Sequence, residues 1–152
     1  MIFVVDASVA IKWFVDESHH DEAVAISNES NRLVAPDLVF AEVSNVMRRK
    51  ARGGYISHEQ AAVSVKNLAA AFKEIVPSSQ LINVAFEYAA RLDHSIYDVL
   101  YLACALRTPG SLLVTADEKF RAKAVAAGVG EIVLSLEEAY GRLLLEQENK
   151  HG

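Results

Sequence analysis

Ile2-Phe-Val-Val-Asp-Ala-Ser-Val-Ala10 opens the chain with four apolar residues, then an acid, then a short run compatible with helix. An uninterrupted apolar run of this length, ended by a polar residue, reads as a strand buried on both faces. Four more short β-branched or apolar runs follow at Arg32–Ala35, Glu74–Val76, Ser111–Thr115 and Glu131–Leu134, and helical spacing of apolar residues fills the intervals. Strand and helix therefore alternate. Parallel strands need crossover connections and helices supply them, so the expected architecture is an α/β/α sandwich with a mainly parallel five-stranded sheet.

The helix boundaries carry their own signals. Pro36 is expected in the first turn of a helix over Asp37–Ala51, where its missing N–H is harmless, and Gly53-Gly54 stops that helix. Ser57-His-Glu-Gln60 has the form of a capping box opening an Ala-rich helix that runs to Phe72, and Pro77 separates it from the next. Further helices are predicted at Ser8–Phe14, Gln80–Leu92, Tyr97–Leu106, Glu118–Ala127 and Leu136–Glu146. No repeat, linker or biased segment divides the chain, so one domain is expected over residues 1–147, with 148–152 a frayed tail.

Composition agrees with a single folded unit. Of 152 residues, 52% are hydrophobic and 23% charged, with only 7 Gly and 3 Pro, which excludes extended disorder. A lone Cys104 cannot form an intrachain disulfide, and the N-terminus has neither the basic region nor the apolar run of a secretory signal, so a cytoplasmic protein is expected. No apolar run approaches the ~20 residues needed to span a bilayer, so no membrane association is expected. A net charge of −5 argues against coating nucleic acid through overall charge, while leaving room for a local basic patch. The mean hydropathy of +0.17 suggests apolar surface covered by a subunit or partner.

Four acids stand where a soluble domain has little structural use for them. Asp6 directly follows the first strand and should lie at the carboxyl edge of the sheet, where open α/β folds bind ligands. Glu42 borders the apolar stripe of its helix, one turn from both Leu38 and Val46. Asp98 opens a helix that is apolar nearly all round, and Asp117 follows the fourth strand as Asp6 follows the first. Each has a structural alternative: Asp6 or Ser8 as a helix cap, Glu42 as a boundary residue reaching water, Asp98 as third residue after an N-cap at Ser95, and Thr115-Ala-Asp-Glu118 as a capping box. Taken together, four carboxylates at one sheet edge repel one another and persist only with protonation or a bound cation. Hard oxygen donors without a Cys or His pair select Mg²⁺ or Mn²⁺ over Zn²⁺, and the chemistry most often built on such sites is phosphoryl transfer.

Four segments, Val-Val-Asp6-Ala-Ser8-Val-Ala, Pro36-Asp-Leu-Val-Phe-Ala-Glu42-Val-Ser-Asn-Val, Tyr97-Asp98-Val-Leu-Tyr-Leu-Ala-Cys-Ala and Leu113-Val-Thr115-Ala-Asp117-Glu-Lys-Phe, make the chain resemble the PIN-domain ribonucleases over nearly its full length. Within them it looks like the VapC-type toxins of toxin–antitoxin pairs. The resemblance implies a PIN-like fold and a Mg²⁺-dependent endoribonuclease, with Mn²⁺ able to substitute. Its acidic quartet would be Asp6, Glu42, Asp98 and Asp117, with Ser8 and Thr115 as polar helpers. It also implies an RNA substrate, a VapB-like antitoxin partner and a homodimer.

Arg48-Arg49-Lys50-Ala-Arg52 is the densest basic run and continues the helix of Glu42, so Arg48, Arg49 and Arg52 are candidate RNA contacts, against the alternative of a solvated helix end. Lys12 and Arg91 are weaker candidates. His19, His20, His58, His94 and His151 lack metal-ligand spacing and are expected at the surface or its boundary; Cys104 is expected in the core, and Glu118 as a first-turn helix acid. Two other functions stay open: a Mg²⁺-dependent aspartyl phosphatase or phosphoacceptor domain, and a non-catalytic PIN-like module binding RNA or protein. Against the phosphatase, the position two after Asp6 is Ser8, where a second acid would be usual.

Overall fold

The computed structural model describes all 152 residues, Met1–Gly152. Five strands form one sheet: β1 (Ile2–Val5), β2 (Arg32–Pro36), β3 (Glu74–Val76), β4 (Ser111–Val114) and β5 (Val133–Leu134), in the spatial order β3-β2-β1-β4-β5. Every neighbouring pair is parallel. In the central strand Phe3 lies opposite both Leu33 and Leu112, and Val4 opposite Val34 and Leu113. Phe3, Val4 and Val5 are fully buried, which is why this strand is continuously apolar rather than alternating. The chain winds outward from β1 through β2 to β3, then returns to place β4 on the other side of β1. The order thus reverses between β1 and β4, and the crevice at the carboxyl ends of those two strands is the ligand position of such a sheet.

Eight helices cover the faces: α1 (Ala7–Ala10), α2 (His20–Ile26), α3 (Leu38–Arg52), α4 (His58–Asn67), α5 (Ile82–Leu92), α6 (Ile96–Arg107), α7 (Glu118–Ala126) and α8 (Leu136–His151). Helix α6 lies across β1, β2 and β4. Its residues Val99 to Ala105 are all buried, as its all-round apolar sequence requires. No helix is long and apolar enough to cross a membrane.

Several local expectations change. Pro36 is the last residue of β2, opposite Val76, rather than a helix-opening residue; the next N–H, that of Asp37, continues the ladder by donating to the Val76 carbonyl at 3.0 Å. At the strand's end the missing proline N–H breaks no ladder bond. Helix α2 is an addition: only Ala23 and Ile26 of its seven residues are buried, too few to display a helical period. The helix from Ser57 tightens into a 3₁₀ turn at Leu68–Ala71, and Ser57 caps it through Gln60 N–H at 3.0 Å without the reciprocal bond of a full capping box. The complete box is at Ser135 and Glu138, at the start of α8. A 3₁₀ turn over Gly130–Ile132 shortens the fifth strand to two residues. Helix α8 continues beyond Glu146 to His151, although its last buried residue is Leu143.

Candidate active site

The crevice at the β1–β4 switch is built from four elements. Asp6 keeps the ladder for one more residue, its N–H donating to the Val114 carbonyl at 3.3 Å, and its side chain then turns back to cap α1. Its Oδ1 accepts from the Val9 N–H at 3.2 Å and from the Ser8 hydroxyl at 2.6 Å. Ser8 Oγ in turn accepts the Ala116 N–H at 3.0 Å, tying the exit of β1 to the exit of β4. Thr115 is fully buried, and its Oγ1 accepts the Asp117 N–H at 3.1 Å. Asp117 caps α7 by accepting the Phe120 N–H at 3.0 Å. The capping alternatives for Asp6 and Asp117 are therefore real, yet each cap engages a single oxygen, Oδ1, of a group that has two.

Glu42 and Asp98 arrive from helices on opposite faces of the sheet. Val39, Val43 and Met47 anchor α3 in the core, which leaves half-buried Glu42 at the edge of that face. The Tyr101 hydroxyl, on α6, donates to Glu42 Oε1 at 2.7 Å, giving a polar partner to a phenol that is otherwise buried. Asp98 does not cap its own helix, since Ser95 is the N-cap and makes no side-chain capping bond. Its Oδ2 lies 2.6 Å from Nε2 of His94. Asp6, Glu42, Asp98 and Asp117 all line one cavity of about 270 Å³, together with Ser8, Asn45, Arg49 and Tyr101.

The electrostatics of this cavity are unbalanced. Burial pushes the Asp6 carboxyl up to about 6, against the lowering effect of the Ser8 and Thr115 hydroxyls and the Val9 N–H, and the Asp98 charge adds to the rise. Burial also raises Glu42; the Tyr101 hydroxyl opposes this and the Asp98 charge reinforces it. Tyr101 is raised further still, first by burial and then by Glu42. Arg49 is the one basic side chain in the lining. Ligand atoms of His94, Asp98 and Asp117 lie within 4.8 Å of one another. A carboxylate-rich cavity of this kind, with one acid already driven toward its neutral form, has the donor chemistry that a hard divalent cation requires.

The remaining candidates separate. The basic run divides: Arg49 faces the acidic cavity, while Arg48 and Arg52 line a groove of about 570 Å³ between α3 and α4, beside Met47, Ala61 and Val65. Lys12 is engaged by Glu17 at 3.4 Å and the Ser18 carbonyl at 2.9 Å, and Arg91 lies over the Tyr88 ring at 4.7 Å. Cys104 is buried, which pushes its thiol up to about 12. His94 lies at the boundary of the surface, as expected of the histidines, but the fold brings it beside the acids, which no ligand spacing in the sequence indicates. Its side chain is only 13% exposed and touches Asp98, four residues on across the start of α6. Tyr101 also escaped the sequence reading. A hydroxyl on a helix apolar nearly all round, three residues after Asp98, was the available signal.

Comparison with known proteins gives consistent results. The family model described as PIN domain matches residues 3–126. Ribonuclease VapC3 of Pyrobaculum aerophilum is 30% identical over 125 residues, covering 81% of this chain and 95% of the relative. Among solved structures, PAE2754 of Pyrobaculum aerophilum superposes with a TM-score of 0.70 at 23% identity, over 95% of this chain and 90% of that one. VapC20 of Mycobacterium tuberculosis, described as a sarcin-ricin-loop-cleaving toxin, gives 0.63 at 19% identity over 80% and 94%. VapBC2 of Rickettsia felis, bound to a fragment of its promoter DNA, gives 0.63 at 15% over 89% and 98%. At these identities the solved structures speak for the fold.

Proposed function

This chain belongs to the PIN-domain family and is VapC-like, and from that premise we propose that it is a Mg²⁺- or Mn²⁺-dependent endoribonuclease acting as the toxin of a toxin–antitoxin pair. The observation that carries the reading is the convergence of Asp6, Glu42, Asp98 and Asp117 on one cavity at the β1–β4 switch, with a single basic residue beside them. These four acids are the proposed metal ligands and catalytic residues. A divalent ion held there would supply charge stabilisation on the leaving oxygen and a more acidic water.

The chain's own groups divide the remaining work. Ser8 and Thr115 hold Asp6 and the Asp117 backbone, so the acids after the two strands keep a fixed separation. Tyr101 orients Glu42. Arg49, at the same cavity, would meet a non-bridging phosphate oxygen, with Arg48 and Arg52 extending the positive charge along α3. A cavity of about 270 Å³ has room for one phosphodiester and its water, which favours an unpaired strand or loop of RNA. Water, not the ribose 2′-hydroxyl, attacks phosphorus in line with the departing 3′ oxygen; the products are a 5′-phosphate and a 3′-hydroxyl.

The likeness to VapC3 and to the toxin of VapBC2 supports a VapB-like antitoxin as partner. Exposed apolar side chains such as Phe86, at 71%, support a homodimer. Cytoplasmic residence is proposed from the single buried cysteine. The deciding experiment is cleavage of a single-stranded RNA with Mg²⁺ or Mn²⁺, with both new ends mapped. A 5′-phosphate end and abolition of cleavage by excess EDTA are expected; a 2′,3′-cyclic phosphate, or undiminished cleavage in EDTA, overturns the reading.

A further inference from the structure

Helix α7 does more than present Asp117 at its N-cap. Three residues on, the buried Phe120 packs on the His94 imidazole, with ring centroids 5.1 Å apart. Three residues further, Lys123 Nζ donates to the Asp93 carbonyl at 2.6 Å and sits 3.3 Å from His94 Nδ1. Asp93 is one of two non-glycine residues in the left-handed region, with φ 50°, and it ends α5. That turn brings its carbonyl to Lys123 and the next residue, His94, to the mouth of the cavity. On the far side of the ring, Nε2 lies 2.6 Å from Asp98 Oδ2.

The lysine determines which way this chain of contacts runs. An ammonium has donors and no acceptor, so in the neutral imidazole Nδ1 accepts from Lys123 and Nε2 carries the ring proton, which it donates to Asp98. We propose that His94 is a positioning residue for the cation site, held by Lys123 and Phe120 and fixing the Asp98 carboxylate through Oδ2. The inference rests on Asp98 being a metal ligand, as proposed above. With its Nε2 lone pair taken up by the proton, His94 is not itself a ligand, although its nitrogen lies close enough to Asp98 and Asp117 to resemble one. Helix α7 thereby sets two of the four acids: Asp117 directly through the cap, and Asp98 through Lys123 and His94. A carboxylate oriented in advance by an outer hydrogen bond loses less freedom on binding a metal, and such partners are worth about 10–100-fold in affinity.

The test reads metal affinity and imidazole tautomer in the folded, metal-free protein. Two-bond ¹⁵N–¹H spectra should show His94 protonated at Nε2, and Lys123→Met should move that signal. By Mn²⁺ titration calorimetry, His94→Ala should weaken binding about 10–100-fold, with Mg²⁺ affected by the same factor. His94→Gln, whose amide donates from near the Nε2 position, should stay close to the unaltered protein. A proton on Nδ1, an unchanged tautomer signal in Lys123→Met, or unchanged Mn²⁺ affinity in His94→Ala overturns the proposal while leaving the metal site standing. Equal losses in the Gln and Ala variants, larger for Mn²⁺ than for Mg²⁺, would make His94 a direct ligand and overturn it too. If the unaltered protein binds neither ion, the site reading fails and this inference with it. Should His94→Ala not fold, His94→Gln and Lys123→Met still decide the matter.

Discussion

The two ends of the sheet carry charge in opposite ways. At the amino end, Glu74 opens β3 between Arg32, at 2.8 Å, and Arg107, at 3.9 Å, around a shallow cavity of about 340 Å³. All three side chains are well exposed, and each charge has an opposite neighbour. At the carboxyl end, four acids meet one arginine, Asp6 is 7% exposed, and its carboxyl is driven up by burial. Folding alone accounts for the first arrangement, since exposed pairs of this kind form wherever long charged side chains meet in water. The second is electrostatically incomplete, and an incomplete buried site is what a charged ligand completes. Both ends gather charged side chains; burial and imbalance distinguish them.

The largest expected effect lies in catalysis. Asp98→Asn should lower kcat/KM for RNA by roughly 10²–10³, since it weakens the hold on the cation that would stabilise the transition state, while Glu74→Gln at the amino end leaves cleavage unchanged. Equal activity in the two variants would erase the distinction between the ends.

Acid titration offers the next test. Asp6 has a folded-state pKa of about 6 against an ordinary 3.8, so the native protein binds more protons than the unfolded chain between those values. Stability of the metal-free protein should therefore fall as pH rises from about 4 to about 6 and then level, by up to about 3 kcal/mol from this group. Asp6→Asn should lack that slope. Adding Mn²⁺ at pH 7 a hundredfold above its dissociation constant should return about 2.7 kcal/mol. Urea unfolding in EDTA and in Mn²⁺ measures all three; a wild-type slope identical to that of Asp6→Asn breaks the argument.

Smaller effects concern the basic residues. Arg49→Ala should weaken RNA binding across sequences and reduce the slope of log affinity against log salt by about 0.7, while Arg32→Ala leaves the slope unaltered. If Arg48 and Arg52, which face the other groove, change the slope as much as Arg49, the RNA path runs along the whole helix. Least of all should follow from breaking the amino-end pair: Arg32→Ala should cost under about 1 kcal/mol of stability. Removing residues 148–152, beyond the last buried position Leu143, should leave activity unchanged.

Much of this was legible beforehand, because some features depend on neighbours in sequence alone. A continuous, β-branched apolar run from Ile2 to Val5 bounded by a polar residue suits a strand buried on both sides, and the apolar helix around Leu102 suits a place against the sheet. An acid close behind a parallel strand lies near the carboxyl edge, which located Asp6, the residue after β1, and Asp117, three residues after the end of β4. Local patterns were less decisive where two structures use the same residues. Pro36 suits a helix start as well as a strand end, and the pairing of Asp37 with β3 selects the latter.

Alternation of strand and helix determined the architecture, acids after two strands placed Asp6 and Asp117 at one edge, and acids beside apolar helix faces singled out Glu42 and Asp98, since all of these follow from burial and backbone geometry within a few residues. Only the tertiary structure decided which groups surround those acids. Tyr101 reaches Glu42 across 59 positions and Lys123 reaches His94 across 29. No local period encodes such contacts; they exist because the strand order places α6 over the centre of the sheet and brings α7 against α5, whose end leads into His94. The same packing separated Arg49 from Arg48, adjacent in sequence, because successive residues of a helix point about 100° apart and α3 has the acidic cavity on one side and α4 on the other.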